Sequence, residues 1–401
     1  MALANIIPTA LPDYNVSDFA PDNLGIYVHG PFCAHTCDFC AFYQEEPRRE
    51  DILRYLETID REMALVPPEP AETAFWGGGT PGLLAAGDLE RLGRIQLRHF
   101  GAPRREWSIE LAPGSVKADK LGVLRDLGFT RVSLGVQSFS EKLLERLGRR
   151  HSPAQIRRAW ELLRGAGFAS INIDLMFALP GQSLEAWRDD LRAAIALEPD
   201  HLSTYCLTFE EDTALFVQLS EGKVRQDDER DRAFYETTWE MLGEAGFEHY
   251  EISNYARPGH RCLHNINTWR MHRWHGFGPS AASQGRDWRG TNPHDLRAWS
   301  DDVAHGRRAT QERTLLTAAQ LVEDALIFGL RMNEGVRLAD LAERFGAAAL
   351  APFRPVLAAL VADGLLEHDP EGDVVRLTRE GRLLADAVGE ALLGAGENRT
   401  G

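Results

Sequence analysis

Cysteines are few in this sequence, and long apolar runs are missing from it. Five cysteines occur among the 401 residues and three of them fall within eight positions, so no disulfide framework is predicted and the thiols are expected to stay reduced. No run of about 18 apolar residues is present, so no membrane span is predicted. The opening residues MALAN also lack the positive and apolar regions of a signal peptide. We therefore expect a cytoplasmic protein.

Basic residues are the minority among the charged ones. Lysine and arginine total 44 against 60 aspartates and glutamates, a formal net charge of −16. Such a chain repels phosphate backbones, so no nucleic-acid partner is predicted. The composition, 44% hydrophobic and 26% charged, is that of a globular protein and excludes a disordered one. At about 100–200 residues per domain, the length predicts two or three domains.

Short apolar segments alternate with amphipathic segments through the first half of the chain. The predicted strands are 24–29, 73–77, 106–111, 130–136, 170–177 and 202–207. The predicted helices are 50–66, 86–97, 117–127, 153–166, 184–197 and 225–245. This alternation is typical of βαβ units, whose right-handed crossovers build a parallel sheet, either as a barrel or as a doubly wound sheet.

Segments with glycine, proline, cysteine or polar residues follow the predicted strands, and their positions favour a barrel over a doubly wound sheet. They are 30–33 (GPFC), 77–81 (GGGTP), 110–113 (ELAP), 137–139 (QSF) and 179–181 (LPG). In a barrel such segments meet at the C-terminal rim of the strands, where barrel active sites lie. Six units predict an α/β fold with an incomplete parallel (β/α)6 TIM-like barrel, open on one side and wide enough for a large ligand.

The pattern changes after the sixth predicted strand. We predict a loose N-terminal arm (1–22), the partial barrel (23–215), a barrel extension (216–310) and a small winged-helix-like C-terminal domain (311–395). The extension contains a strand-like stretch at 250–255 and five of the 13 histidines, between His249 and His275. Within the last domain we predict helices at 317–331, 338–345 and 350–362, strands near 366 and at 373–377, and a final helix.

Three cysteines form the strongest local motif. Cys33, Cys37 and Cys40 have the spacing C-x3-C-x2-C on the segment after the first predicted strand. Thiolates suit iron–sulfur clusters and zinc, and three of them can hold three corners of a [4Fe–4S] cluster while the fourth iron stays open. A structural zinc site with His35 or His29 as fourth ligand is the alternative. The position after a barrel strand favours a catalytic type of site.

The cysteine motif, with Phe39, resembles the signature of radical S-adenosylmethionine (SAM) proteins. The string 27–33 (YVHGPFC) is similar to the branch that holds the coproporphyrinogen dehydrogenases (HemN) and the heme chaperones (HemW). Further matching segments are 77–81, Glu110, 135–139 (GVQSF), 147–149 (LGR) and 172–181 (NIDLMFALPG). The resemblance covers about residues 24–393 and implies a radical SAM barrel followed by a HemN-type C-terminal domain.

The resemblance implies that SAM binds the open iron and that the reduced cluster cleaves it to a 5′-deoxyadenosyl radical. The residues expected to contact SAM are Tyr27, Phe39, Gly78, Gly79, Thr80, Glu110, Gln137, Arg149, Asp174 and Thr208. The glycines allow close backbone approach, the carboxylates and Gln137 suit amino and ribose groups, and Arg149 suits the SAM carboxylate. Taken singly, the glycines could form a simple turn, Asp174 could cap a helix and Arg149 could be a solvated charge.

Two features separate the dehydrogenases from the heme chaperones. The dehydrogenases carry a further cysteine two residues after the third, where this chain has Phe42. The segment 264–269 (HNINTW) is similar to the H-N-x-x-Y-W heme motif of the chaperones, with Thr268 in place of tyrosine. Both features favour a heme chaperone.

The resemblance implies heme contacts by His264, Asn265 and Trp269. Asn265 and Trp269, four residues apart, share a face of a helical turn with His264 nearby. Neutral imidazole is a common axial ligand of heme iron, and an indole packs well on a macrocycle. His264 could also be an ordinary loop histidine. Other candidate ligands nearby are Cys262, His260, His272 and His275.

We therefore predict a heme chaperone that binds heme, a [4Fe–4S] cluster and SAM, delivers heme to acceptor proteins, and uses an electron donor. One alternative is an oxygen-independent coproporphyrinogen III dehydrogenase. Another is a zinc-stapled regulator whose C-terminal domain binds DNA, which the net charge disfavours. The amphipathic segment 320–330 predicts packing of the C-terminal domain on the barrel, as a lid or as a homodimer contact.

Overall fold

The computed structural model describes residues 23–211, 213–224 and 227–396, so the predicted arm at 1–22 lies outside the described residues. Six parallel strands run side by side through the first part: β1 (Leu24–Gly30), β2 (Thr73–Gly78), β3 (Glu106–Leu111), β4 (Arg131–Gln137), β5 (Ser170–Phe177) and β6 (His201–Cys206). The accompanying helices are α1 (Arg49–Ala64), α2 (Ala86–Phe100), α3 (Ala118–Leu127), α4 (Glu141–Arg146), α5 (Pro153–Ala166), α6 (Leu184–Ala196), α7 (Ala214–Ser220) and α8 (Asp228–Glu244). The predicted strands are confirmed with small shifts at their ends.

The strands were recognisable because almost every residue in them is buried. Helices cover their outer face, so both faces carry apolar side chains and the sequence reads as continuous apolar runs. Trp76, Trp107 and Phe129 meet between strands and helices, with ring centroids 4.3–5.8 Å apart. Helix boundaries follow local chemistry: a capping box of Ser152 and Gln155 begins α5, and left-handed Gly167 ends it.

The predicted six-stranded parallel barrel is confirmed, and the extension adds further strands to its sheet. The extension adds β7 (Glu248–Glu251), β8 (Asn254–Ala256), α9 (Leu263–Trp269), β9 (Arg273–Phe277), β10 (Ala282–Gln284), β11 (Trp288–Thr291), α10 (Leu296–Ala304) and β12 (Gln311–Leu315). Together with β1 to β6, the strands of the extension form one twelve-stranded sheet in the order β12-β11-β10-β9-β1-β2-β3-β4-β5-β6-β8-β7. Strand β9 pairs in parallel with β1, from Leu24 opposite Arg273 to Val28 opposite Phe277, and so adds a seventh parallel strand. The predicted single stretch at 250–255 is the hairpin of β7 and β8.

The C-terminal part has its own core and its own small sheet. Its elements are α11 (Ala318–Gly329), β13 (Val336–Arg337), α12 (Leu338–Phe345), α13 (Ala347–Leu350), α14 (Arg354–Ala362), β14 (Leu366–Asp369), β15 (Val374–Leu377), α15 (Arg379–Leu383) and α16 (Ala385–Leu392). The sheet has the order β13-β15-β14, as in a winged helix. Met271, on the turn before β9, packs into this core with Val322 and Leu326 of α11, which joins the C-terminal part to the extension.

Across the described ranges, no helix is both long and apolar enough to cross a lipid bilayer.

Candidate cofactor site in the barrel

The cysteine motif lies on the loop that follows β1. Cys33, Cys37 and Cys40 are half-buried free thiols. The loop is a tight turn, since the Cys40 N–H donates to the Cys37 carbonyl at 3.1 Å, and the Cys33 N–H donates to the Glu45 carbonyl at 3.0 Å. All three thiols are therefore carried at the C-terminal mouth of the barrel, as the sequence predicted.

Other parts of the chain hold this loop in place. The Asp38 N–H donates to the Leu147 carbonyl at 3.1 Å, and the Asp38 carbonyl accepts from the Leu215 N–H at 3.0 Å. Gly148 has φ +68°, and a Cβ there would lie 2.9 Å from Asp38 Oδ1. Glycine is therefore required at 148 by conformation and by space. The segment after α4 and the start of α7 together fix the loop.

The charge of Arg149 acts on all three thiols. Partial burial raises the pKa of Cys33, Cys37 and Cys40, and the charge of Arg149 opposes that rise at each of them. The guanidinium lies 5.4 Å from the ring centroid of Phe39, which holds it beside the loop. Because metals bind thiolates, a fixed cation here favours the ligand form of the three cysteines.

One of the two histidines considered as a fourth zinc ligand is not available. The ring of His29 is already engaged on both sides, by the Tyr27 hydroxyl at Nδ1 (3.3 Å) and the Tyr43 carbonyl at Nε2 (3.2 Å). Three half-buried thiols on one loop beside a cation are instead a donor set that fits a [4Fe–4S] cluster.

The interior of the barrel is polar below the cysteine loop. Four strands that are otherwise buried each have one partly exposed position: Tyr27 in β1, Glu110 in β3, Gly135 in β4 and Asp174 in β5. Because helices cover the outer face of the sheet, these positions face the interior, which we call the lumen. The lumen thus brings together three of the predicted SAM contacts, from three separate strands.

The glycines at 77–79 form one wall of the lumen. The Gly78 N–H donates to Glu110 Oε2 at 3.2 Å. Gly78 has φ +97°, and a Cβ there would lie 2.3 Å from Nδ1 of His29; a Cβ at Gly79 would lie 2.7 Å from the Gly30 carbonyl oxygen. Side chains are excluded at both positions, so bare backbone is presented toward the mouth. The Thr80 hydroxyl follows, 3.5 Å from Cys33 Sγ.

Glu110 and Asp174 place two carboxyl groups in the same lumen. Burial raises the pKa of Glu110 to about 8, helped by the charge of Asp174 and opposed by the Gly78 N–H and Arg149. Burial also raises the pKa of Asp174, which accepts from Ser133 Oγ at 2.7 Å and Asn172 Nδ2 at 2.8 Å. A cationic ligand would stabilise the ionised form of both groups. The sulfonium and amino groups of SAM have that charge.

Gln137 and Arg149 carry polar atoms that lack partners. Within the described residues, Gln137 Oε1 and Arg149 Nε are buried without a hydrogen bond. Both side chains approach Gly135: a Cβ there would lie 3.4 Å from Gln137 Nε2 and 3.9 Å from an Arg149 terminal nitrogen. Gln137 also has φ +68°, a strained conformation typical of functional sites. These residues fit a ligand that supplies both hydrogen-bond donors and a carboxylate.

One predicted SAM contact lies away from this group, and other lumen residues were not predicted. Thr208 is exposed on the loop after β6, where its hydroxyl donates to Glu210 Oε1 at 3.0 Å. The lumen residues missed from the sequence are Phe75, Ser133, Asn172, Ser203 and Tyr205. Each lies two residues from another lumen position on its strand: Phe75 from Gly77, Ser133 from Gly135, Asn172 from Asp174, and Ser203 from Tyr205. Because alternate strand residues share a face, this spacing could have identified them in the sequence.

Helix α9 closes the barrel at the opposite end from the cysteines. His264 is 6% exposed, stacks on Phe75 at 5.4 Å, and contacts the Thr73 hydroxyl through Nδ1 at 3.0 Å. Burial lowers the pKa of His264 to about 3, so its imidazole is neutral at physiological pH. Thr73 is the ring's hydrogen-bond partner among the described residues, which leaves Nε2 as the nitrogen suited to iron.

Asn265 and Trp269 do not join His264 on one surface. Both are half-exposed, whereas His264 points into the floor of the barrel. Trp269 packs on Phe328 of α11 at 6.1 Å and under the guanidinium of Arg331 at 4.6 Å. The predicted helical turn is present, with His264 facing the barrel and Trp269 facing the C-terminal part.

A buried hydrogen-bond chain connects α9 to the lumen. The N–H of Cys262, the N-cap of α9, contacts the Tyr250 hydroxyl at 3.2 Å, which contacts His201 Nε2 at 2.8 Å. His201 Nδ1 contacts Asn172 Oδ1 at 2.7 Å, and Asn172 Nδ2 donates to Asp174 at 2.8 Å. The cap of the motif helix and a carboxylate of the lumen therefore belong to one network.

A partial parallel barrel with three cysteines after its first strand and a polar lumen below them defines a radical SAM protein. The profile of the Radical SAM superfamily matches residues 27–194, and that of the HemN C-terminal domain matches 316–384. Within that superfamily, the chain belongs to the HemW family. It is 32% identical to the heme chaperone HemW of Bacillus subtilis over 92% of this chain and 98% of that protein.

Two further comparisons support this assignment and the fold. The heme chaperone HemW of Escherichia coli is 35% identical, again over 92% of this chain and 98% of that protein. The solved structure of coproporphyrinogen III oxidase (HemN) from Escherichia coli superposes with a TM-score of 0.79, covering 93% of this chain and 91% of that one. At 24% sequence identity, this second likeness shows a shared fold.

Proposed function

We propose that this protein is a cytosolic heme chaperone that binds a [4Fe–4S] cluster, SAM and heme and passes heme to acceptor proteins. The observation that carries the proposal is the shared barrel: three thiols stand at its mouth and the histidine of the heme motif closes its floor. The full-length relatives named heme chaperone support the same function. We also propose the predicted division into a barrel (23–215), an extension (216–310) and a C-terminal domain (311–395).

The cluster would be held by Cys33, Cys37 and Cys40, and SAM by the lumen. The SAM contacts we propose are Tyr27, Phe39, Gly78, Gly79, Thr80, Glu110, Gln137, Arg149 and Asp174, with Thr208 as a more distant contact. When bound, the reduced cluster and SAM supply one-electron cleavage chemistry. Arg149 opposes the rise in the pKa of the cysteines and offers a fork to a carboxylate, while Glu110 and Asp174 offset the positive charge of the ligand.

Heme would contact α9, with His264 Nε2 on the iron and Asn265 and Trp269 on the helix that presents it. Phe75 stands between His264 and the glycine wall, since a Cβ at Gly77 would lie 2.9 Å from the Phe75 ring. Heme at His264 and SAM at Gly77–Gly79 would therefore be neighbours across one aromatic side chain. We also propose that the protein delivers heme to acceptor proteins, receives electrons from an electron donor, and forms a homodimer.

An anaerobic assay separates the chaperone from the dehydrogenase. Cluster-reconstituted protein is mixed with SAM, dithionite and coproporphyrinogen III, and vinyl products and 5′-deoxyadenosine are measured. The same sample is titrated with heme. We expect no vinyl product and a Soret band that weakens in His264→Ala. Vinyl product over many turnovers would contradict the chaperone and identify a dehydrogenase.

SAM affinity is expected to fall below about pH 8. Glu110, whose pKa is raised to about 8, must lose its proton to face the cationic ligand, so the dissociation constant rises up to about tenfold per pH unit toward pH 6. Equilibrium dialysis of the reconstituted protein measures it, and Glu110→Gln should flatten the profile. The folding stability of the ligand-free protein depends on pH in the opposite direction to SAM affinity. The stability that the raised pKa of Glu110 contributes is present below about pH 4.5 and is lost as the pH rises through 8. Identical SAM profiles for both proteins would refute the role of Glu110.

Arg149→Gln is expected to weaken SAM binding at least tenfold. A hydrogen-bonded pair between a guanidinium and a carboxylate contributes about 1.5–3 kcal/mol. Arg150→Gln is the matched control, because Arg150 is the exposed neighbour of half-buried Arg149. Dialysis at saturating cluster content compares the two variants. Equal affinities would show that Arg149 is a solvated charge.

A further inference from the structure

Strand β4 ends in a strained turn at Gln137. The Ser138 N–H donates to the Val136 carbonyl at 2.9 Å, which closes a three-residue turn centred on Gln137. Gln137 has φ +68°, and a three-residue turn with this sign of φ is the rare, strained form. The register with β5 also shifts between Gly135 and Gln137, as at a β-bulge. Bulges beside functional sites re-aim a side chain, so the direction of Gln137 depends on this local geometry.

A buried carboxylate of α6 holds this turn from the outer side of the sheet. Asp190 Oδ2 accepts from the Ser138 hydroxyl at 2.7 Å, and Asp190 Oδ1 accepts from the Phe139 N–H at 2.7 Å. Asp190 is 2% exposed, and Ser138 is fully buried. Both carboxylate oxygens are therefore bound to the two residues that directly follow Gln137.

The position of this carboxylate is unfavourable for helix packing alone. Asp190 shares the buried face of α6 with Trp187, Leu191 and Ala194. An ionised group buried among apolar side chains costs free energy unless hydrogen bonds offset the loss of water. Burial raises the pKa of Asp190 to about 6, and its two hydrogen bonds oppose that rise, so the carboxylate is mostly ionised at neutral pH. An apolar residue would avoid this cost on the helix but could not accept from the turn.

The same turn is tied to a second predicted contact of the lumen. His151 Nε2 contacts the Val136 carbonyl at 3.1 Å, which joins the turn to the segment that carries Arg149. Gln137 is 7% exposed, and within the described residues its Oε1 is buried without a hydrogen bond. A buried amide oxygen without a partner costs free energy in the ligand-free protein. A ligand that donates a hydrogen bond in the lumen would remove this cost.

We propose that Asp190 is a positioning residue for SAM: it holds the strained turn so that Gln137 presents its amide to the ligand. The proposal rests on the SAM site proposed above and adds a residue that does not itself contact the ligand. Strained backbone persists only where surrounding contacts hold it. Without the carboxylate, the Ser138 hydroxyl and the Phe139 N–H lose their acceptors, and the turn relaxes toward negative φ, which takes the Gln137 amide away from the ligand.

A double-mutant cycle tests this role by equilibrium dialysis of SAM with the cluster-reconstituted, full-length protein. We expect Asp190→Ala to raise the SAM dissociation constant about fivefold or more, Gln137→Ala about tenfold, and the double variant no more than Gln137→Ala alone. Asp190→Asn should stay within about threefold of the parent, because its amide oxygen still accepts from the Phe139 N–H. Asp189→Ala is the matched control, since the Asp189 side chain is 69% exposed and pairs with Arg192 on the surface.

Urea unfolding of the ligand-free variants separates positioning from general stability. A merely structural role would lower the free energy of unfolding without coupling to Gln137. Ser138→Ala removes the hydroxyl that donates to Asp190 and gives a second route if Asp190→Ala fails to fold; its effect on SAM should likewise vanish in the Gln137→Ala background.

Two results would overturn the positioning role and leave the proposed function intact. One is a SAM affinity of Asp190→Ala equal to that of Asp189→Ala. The other is a loss in Asp190→Ala that adds in full to the loss in Gln137→Ala. A parent protein that holds its cluster but binds no SAM would overturn the SAM site and the role of Asp190 together.

Discussion

Cys37→Ala is expected to reduce the iron bound after anaerobic reconstitution to about a tenth or less of the parent level. The three thiols sit on one turn, and Cys37 supplies both its thiol and the carbonyl that accepts the Cys40 N–H. Only the thiol is lost in the variant, so the turn persists. Two remaining cysteines cannot hold three corners of a cluster.

Cys206→Ala is the control for this experiment. Cys206 is also half-buried and free, but it lies on β6 rather than on the loop. Iron and acid-labile sulfide analysis, with the visible absorbance of the cluster, compares the two variants. SAM cleavage should be lost with the iron. Full iron content in Cys37→Ala, or equal loss in both variants, would refute the assignment of the loop as the cluster ligand.

Glu106→Ala is expected to lower the free energy of unfolding by about 3 kcal/mol and to loosen the heme-motif helix. Glu106 is fully buried and accepts from the N–H groups of Leu263 and His264, each at 3.1 Å, at the start of α9. It also contacts the thiol of Cys262 at 3.5 Å. Without the carboxylate, two buried donors lose their acceptor, at about 1–3 kcal/mol each.

The variant Glu106→Gln tests whether the start of α9 needs the negative charge of Glu106 or only an acceptor oxygen. The amide keeps one acceptor oxygen at the helix start, so we expect a loss of about 1 kcal/mol. Urea unfolding measures both variants, and a heme titration shows whether His264 is still presented. A loss in Glu106→Ala no larger than in Glu106→Gln would show that the helix start does not depend on this carboxylate.

The barrel was predictable from the sequence because its strands are buried on both faces. That burial produces apolar runs, and the functional residues at the strand ends stand out against them. Strands β9 to β12 were missed because they are short and carry polar residues, as in RWHGF of β9. Their place in the sheet depends on pairing with β1, which no local pattern encodes.

The sequence predicted which residues belong to the site, but not how their side chains are oriented. Gln137 and Arg149 were expected, yet their unpaired buried atoms and shared approach to Gly135 emerge only when β4 and the segment after α4 are placed together. Helical spacing suggested one surface for His264 and Trp269, but tertiary packing directs them apart.

The hydrogen-bond chain under the barrel has a fixed polarity. Because Asn172 Oδ1 can only accept, His201 Nδ1–H donates to it, and the neutral ring accepts at Nε2 from the Tyr250 hydroxyl, which itself accepts from the Cys262 N–H. Burial and nearby cations hold the pKa of His201 well below its usual range, so it takes no second proton. The neutral His201 ring therefore fixes the orientation of the Asn172 amide, so that its Nδ2 faces Asp174 as a hydrogen-bond donor.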